Sequence, residues 1–275
     1  MAARNRLCRY VLRTTDVAAA RAFYAELLGD GFWRATLDVV PLPERARAAG
    51  APSHWAGYIA VEEADFDAKQ AAFVAAGSAQ LGPMTRDDSG ARSAWFQDPM
   101  GARVGLYSGV PGAHPPVALR APGPSQIALS VREGRGTSHD DWNGSSAESP
   151  AAERPVTWHF LHTTDPDKAL SFYCGLFGWA PKDRVDLGAE RGSHRTFAWD
   201  AAGEPVGSAT DLARLPHVHA QWLYCFPTED IESRVELVRA RGGVVAGISE
   251  TPSGDRIAGC DDPQGAAFAL IQRRW

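Results

Sequence analysis

Near residue 10 the chain alternates in character. Tyr10, Leu12 and Thr14 interleave with Arg9, Val11 and Arg13, a period of two that predicts a strand with two unlike faces. Asp16 then stands where a helix N-cap belongs, Phe23, Tyr24, Leu27 and Leu28 follow at helical spacing, and Gly29 supplies a stop. The same succession returns from Trp158 to Asp165 and continues through Phe172, Tyr173 and Phe177 to Gly178. A second pair of anchors matches Asp98-Pro99-Met100-Gly101 with Asp262-Pro263-Gln264-Gly265, turn chemistry ahead of the short apolar runs Val104–Tyr107 and Ala267–Ile271. Between the anchors, Tyr58–Asp65 and Tyr224–Glu232 each lead into a helical stretch that ends at Gly77 and at Gly242-Gly243. Anchors in the same order mark an internal repeat, each copy built of two strand–helix–strands half-modules.

The copies are unequal. From Asp16 to Glu62 the first is roughly eighteen residues shorter than the second from Asp165 to Glu229, enough for about two strands. The second copy has the strand-like runs Ser193–Asp200 and Pro205–Asp211, whereas the first has only Phe32–Val40 before the helix-like Leu42–Ala49. An open or incomplete first half is expected.

A chain of 275 residues suits two domains at about 100–200 residues each. The repeat places them at 1–110 and 156–275, joined by a Pro/Gly/Ser-rich connection over 111–155. In that connection Gln126–Val131 reads as one added strand, and Arg132–Arg154, with Trp142 almost its only apolar residue, as disordered. A net charge of −5 with scattered Lys and Arg leaves no electrostatic footprint for nucleic acid or an anionic membrane. The N-terminus has no apolar signal core and no run is long enough to span a bilayer. The four cysteines are far apart and are expected reduced. A cytoplasmic protein with a small-molecule partner is the expectation, with a homodimer left open.

The repeated Thr-Thr-Asp, Phe-Tyr and Asp-Pro-x-Gly-Ala motifs, with Pro52–Tyr58 and Trp222–Tyr224, resemble the vicinal-oxygen-chelate superfamily of glyoxalases, bleomycin resistance proteins and dioxygenases, in its tandem two-domain form. The resemblance implies an α+β fold: two tandem domains of paired βαβββ half-modules, each with a mixed curved sheet forming a cup, the first domain shortened. It does not specify a reaction, because the fold hosts lyases, oxygenases and non-catalytic binding proteins. In the catalytic branches three side chains, typically His and Glu, hold a divalent metal in the cup. The positions that the resemblance matches to them are Arg9, Ala56 and Gly105 in the first copy and Trp158, Leu223 and Ala269 in the second, the middle one to within a residue. None is a ligand. An acid two residues further along the first strand, found in some tandem members, is replaced by Val11 and Phe160. No metal and no other cofactor is expected.

Strand alternation directs Arg9 and Arg13 into the first cup, with Arg103, Tyr58 and Tyr107 beside them, a set suited to an anionic ligand or else paired with Asp38, Asp65 or Glu62. In the second cup it gives Trp158, Phe160 and His162, with Trp222 or Tyr224 and Phe268 as neighbours, a set suited to an aromatic ligand or simply to a filled core. His162 is placed to act as an acid or base near neutrality, or as a hydrogen-bonded structural residue. His217 and His219 at i, i+2 read as loop histidines or, with a third ligand, a zinc site. Three functions therefore compete. One is metal-independent binding of an aromatic or anionic metabolite. Another is a lyase or dioxygenase/hydroxylase-type enzyme with a relocated metal or a His162 acid–base. The third is a module that pairs through an exposed sheet edge.

Overall fold

The computed structural model describes residues 4–29, 32–33, 37–109, 155–189, 192–251 and 253–274. The expected connecting segment, with its Gln126–Val131 strand and Trp142, lies outside the described residues apart from Pro155.

The first copy runs β1 (Leu7–Thr14), α1 (Val17–Leu28), β2 (Leu37–Pro41), α2 (Glu44–Ala48), β3 (His54–Ala60), α3 (Phe66–Ala75), β4 (Ala79–Gln80), β5 (Thr85–Arg86), β6 (Arg92–Gln97) and β7 (Arg103–Tyr107). The second runs β8 (Trp158–His162), α4 (Pro166–Phe177), β9 (Ala180–Asp186), β10 (Ser193–Ala198), β11 (Gly207–Thr210), β12 (Gln221–Pro227), α5 (Ile231–Ala240), β13 (Val244–Glu250), β14 (Arg256–Asp261) and β15 (Ala267–Gln272). Two mixed sheets result, ordered β2-β1-β3-β7-β6-β4 with β5 on β6, and β13-β14-β15-β12-β8-β11-β10-β9.

The sheets share a pairing logic. β1 is parallel to β2 and antiparallel to β3, as β8 is to β11 and β12, and β3–β7 matches the parallel pair β12–β15. The β9–β10 hairpin on the outer edge of β11 has no counterpart beside β2 among the described residues. The shortened first half is therefore this missing hairpin.

Local chemistry explains the repeated motifs. Asp16 and Asp165 cap α1 and α4, accepting from the amides of Ala19 at 2.9 Å and Lys168 at 3.0 Å. Gly178 ends α4 in the left-handed region at φ 72°, where its lack of a Cβ removes the steric cost. Asp98 Oδ1 accepts from the amides of Met100 and Ala102, and Asp262 Oδ1 from those of Gln264 and Ala266, which holds both Asp-Pro turns.

The helix-covered faces of the two sheets share one core. Across it the motifs of one copy grip those of the other. Tyr24 donates to Asp262 Oδ2 at 3.2 Å and accepts from Trp55 Nε1 at 2.9 Å. Tyr173 donates to Asp98 Oδ2 at 2.8 Å and accepts from Trp222 Nε1 at 3.1 Å. All six side chains are buried. Buried polar groups stay in a core only when they are paired, so the Phe-Tyr and Asp-Pro motifs join the copies rather than build a site. No helix is long and apolar enough to cross a membrane among the described residues.

Candidate functional site

Each sheet turns its other, concave face away from the shared core, and the two concave faces differ in chemistry. On the first, β1 presents Arg9, Val11 and Arg13, β3 presents His54, Ala56 and Tyr58, β7 presents Arg103, Gly105 and Tyr107, and β6 contributes Trp95. Part of this face is filled by its own side chains. A Cβ added at Gly105 would stand 2.2 Å from Tyr58 Cδ1 and 2.8 Å from Trp95 Cε3, so the two rings occupy that space. Arg13 donates to the Tyr58 hydroxyl at 3.0 Å and lies 5.5 Å from the Trp95 ring centroid. Arg9 lies 5.2 Å from the Tyr107 centroid and 3.5 Å from Asp38. Burial, reinforced by the charges of Arg13 and Arg103, lowers the pKa of His54 although the Pro52 carbonyl accepts its Nδ1–H. The structure brings the predicted arginines and Tyr58 onto one face, where two of the three guanidiniums are already paired and Arg103 is exposed at the start of its strand.

The second concave face encloses a cavity of about 750 Å³, within the ~300–1,000 Å³ usual for small-molecule sites. Its floor is apolar: Trp158, Phe160, Leu223, Ile257, Ala269 and Ile271. One wall comes from β11 and the β9–β10 hairpin. By register Ser208 stands between Phe160 and Thr196, and Thr210 between His162 and His194. Phe160 and His162 are near-parallel, with centroids 6.1 Å apart, and His194 meets Phe160 edge-on at 6.1 Å. The opposite wall carries Ser253, Asp255 and Arg273, whose guanidinium lies 5.4 Å from the Trp158 centroid.

His162 was read from the sequence either as an acid or base near neutrality or as a hydrogen-bonded structural residue. Burial, helped by neighbouring His194, pushes its pKa down to about 4, and its Nδ1 meets Thr210 Oγ1 at 2.8 Å. Burial likewise lifts the Cys225 thiol beneath the floor above its ordinary range.

Trp158, Phe160 and His162 lie on this face as expected, but Trp222 and Tyr224 do not. They point through the sheet into the shared core, as does Phe268. Leu223, paired with Phe160, is the β12 residue that faces the cavity. The alternation reading of β12 was displaced by one residue, which exchanges the two faces, whereas Leu223, the position carried over from the resemblance, does face the cup. Ser208, Thr196, Ile257 and Arg273 were missed. Ser208 and Thr210 alternate with apolar neighbours along β11, a legible signal, whereas Arg273 follows its strand and carries none.

The metal positions implied by the resemblance fall on the concave faces. In the second cup Trp158, Leu223 and Ala269 make the apolar floor. In the first, Gly105 has no room for a carboxylate. These residues do not fit a metal, having no lone pair to offer it. No group of three or more His, Cys, Asp and Glu converges as a metal site among the described residues, and exposed His217 and His219 are joined by no third ligand.

The chain matches the family model of the Glyoxalase/Bleomycin resistance protein/Dioxygenase superfamily over residues 6–106 and 156–270. It belongs to that superfamily. Among superfamily-like relatives, the Mycobacterium bovis protein named "Putative glyoxylase CFP32" is 28% identical over 280 residues, covering 95% of this chain and 92% of the relative. The anthracycline biosynthesis protein DauV of a Streptomyces species is 27% identical over 226 residues, covering 82% and 68%. A Mn(II)-bound glyoxalase from Novosphingobium aromaticivorans superposes with a TM-score of 0.58 at 12% identity, covering 99% of this chain and 83% of that one. A catechol 2,3-dioxygenase superposes with a TM-score of 0.55 at 14% identity, covering 98% and 89%. At these identities the structural likeness establishes the superfamily fold, not a reaction.

Proposed function

We propose that this superfamily member binds a flat aromatic small molecule in its second cup without using a metal. One observation carries the reading. The positions that would hold a metal carry Trp158, Leu223 and Ala269, and these same residues form the apolar floor of the 750 Å³ cavity. Apolar walls with a few placed polar groups are what an aromatic ligand needs. Relatives named for anthracycline biosynthesis, a chemistry of fused aromatic rings, support the same ligand class.

His162 beside His194 motivates a second reading, acid–base catalysis in the same cup. A base with a pKa of about 4 is poorly matched to work at neutral pH, so this reading ranks second.

The test pairs elemental analysis of the purified, unchelated protein with a thermal-shift screen of aromatic metabolites. The expected result is substoichiometric transition metal and a raised Tm with fused-ring compounds. A ligand at one hundred times its Kd stabilises by about 2.7 kcal/mol, worth several degrees for a chain of this size. Stoichiometric iron, manganese, nickel or zinc overturns the metal-free reading. Turnover that disappears in His162→Ala replaces it with the second.

A further inference from the structure

We infer that the ligand of the second cup is a cation, an aromatic ring system bearing a protonated amine. The inference rests on the cup being an aromatic-ligand site and adds the charge of what enters it.

The charged side chains among the described residues lining the cavity are Asp183, Glu204, Glu250, Asp255 and Arg273. Four are acidic. The single guanidinium is already engaged: Arg273 contacts Asp255 Oδ2 at 3.2 Å, donates to the Thr157 carbonyl at 3.2 Å and covers the Trp158 ring. Glu250 is paired with Arg274 at 3.6 Å. Asp183 and Glu204 are exposed, and neither forms an ion pair with another described residue. The cations nearest Asp183 in sequence have other partners: Arg184 pairs with Asp167 at 2.8 Å and Lys182 donates to the Ala201 carbonyl at 2.7 Å. Among the described residues, Asp183 and Glu204 thus leave negative charge without an ion pair at the mouth, above an apolar floor.

A second observation places a polar partner deeper in. Ser208 is 2% exposed, lines the cavity, and its Oγ has no hydrogen-bond partner among the described residues. Such a buried hydroxyl is costly unless something bonds it. A ring oxygen or nitrogen seated against Phe160 reaches the position that Ser208 serves. The Trp158 and Phe160 faces also favour positive charge over negative. An anionic ring of the same shape would meet the same floor and the same serine but a repulsive mouth. The sign of the ligand's charge is thus set at the rim and its shape at the floor.

The test titrates the full chain with three planar tricyclic probes, following tryptophan fluorescence and calorimetry: 9-aminoacridine (cationic), acridone (neutral) and anthraquinone-2-sulfonate (anionic). The expected order of affinity is cation, neutral, anion, with the cation's advantage shrinking as ionic strength rises. The double variant Asp183→Asn/Glu204→Gln, altered only at exposed positions, should weaken 9-aminoacridine by about two- to five-fold per carboxylate removed. It should leave acridone unchanged and strengthen the sulfonate. Equal or tighter binding of the sulfonate by the unaltered protein overturns the inference, as does a cation-to-anion ratio that the double variant does not move. In both cases acridone still binds and the aromatic-cup reading stands. Failure of all three probes to bind overturns that reading and this inference together.

Discussion

At the scale of single residues, Gly105 and Ala269 occupy matched positions with opposite consequences. Ala269 sits on an open floor, while Gly105 is pressed under two rings. The Cβ of Gly105→Ala would lie 2.2 Å from Tyr58 Cδ1, so Tyr58 must move and loosen its bond to Arg13. Overpacking of this kind costs about 1–3 kcal/mol. Urea denaturation should show a lowered midpoint at constant slope, and an unchanged midpoint would mean that the first cup is not filled as described. The same scale shows where sequence reading stopped. Trp158, Phe160 and His162 were legible as cup residues because the repeat matches them to Arg9, Val11 and Arg13, whose strand alternates with Tyr10, Leu12 and Thr14. Trp222-Leu223-Tyr224-Cys225-Phe226 is apolar throughout, since one of its faces meets the cavity floor and the other the shared core. A strand buried on both faces carries no period from which to choose a side.

At the scale of elements, the β9–β10 hairpin supplies one wall of the second cup. It brings Asp183, Val185, His194 and Thr196 to the second cavity, and the first sheet has no equivalent among the described residues. Its absence was legible as a difference in length between the copies, because chain length limits how many strands can form. The hairpin's anchor was not legible. Phe197 lies parallel to Trp179 at 5.2 Å and 8°, a contact set by tertiary packing. Phe197→Leu should cost up to about 1.5 kcal/mol and act locally. Amide exchange should speed up in β9 and β10, leave β14 and β15 unchanged, and accompany weaker aromatic binding. Uniform acceleration over both sheets would show that the hairpin is not a separable wall.

At the scale of the whole molecule, the repeat foretold two similar units but not how they hold each other. Similarity shows which motifs correspond, and nothing in it tells Tyr24 that its partner is Asp262 rather than Asp98. Because the bonds cross, Tyr173→Phe should be felt by both copies. It leaves Asp98 Oδ2 and Trp222 Nε1 unpaired in a buried site, at about 1–3 kcal/mol. Tryptophan fluorescence and far-UV circular dichroism should still report one shared transition, and two separated transitions would argue against the cross-copy lock.

A third cross-copy bond makes the assembly sensitive to acid. His159 Nδ1 donates to the Val206 carbonyl at 2.8 Å, which leaves Nε2 to accept from the Tyr10 hydroxyl at 2.7 Å. The ring is thus held neutral, and burial pushes its pKa down from 6.5 to about 4. Above pH 6.5 neither the folded nor the unfolded ring carries a proton, and the stability that His159 contributes is fully present. As pH falls from 6.5 towards 4 the unfolded ring takes a proton that the folded one refuses, so stability declines. Below about 4 the folded ring protonates as well and the decline stops. The total for this histidine is about 3 kcal/mol. His162 is shifted in the same direction and steepens the fall. Asp98 and Asp262 oppose it at the acid end, because burial raises their carboxyl pKa values above 3.8 and they take up protons before unfolded aspartates do. Urea midpoints measured from pH 7.5 to 4 should therefore fall through the window between 6.5 and 4. In His159→Gln, which keeps a donor for Val206 and titrates nowhere in the range, the slope should flatten by up to about 1.4 kcal/mol per pH unit, one proton's worth. A variant profile parallel to that of the unaltered protein would show that His159 is not the neutral bridge between the two sheets.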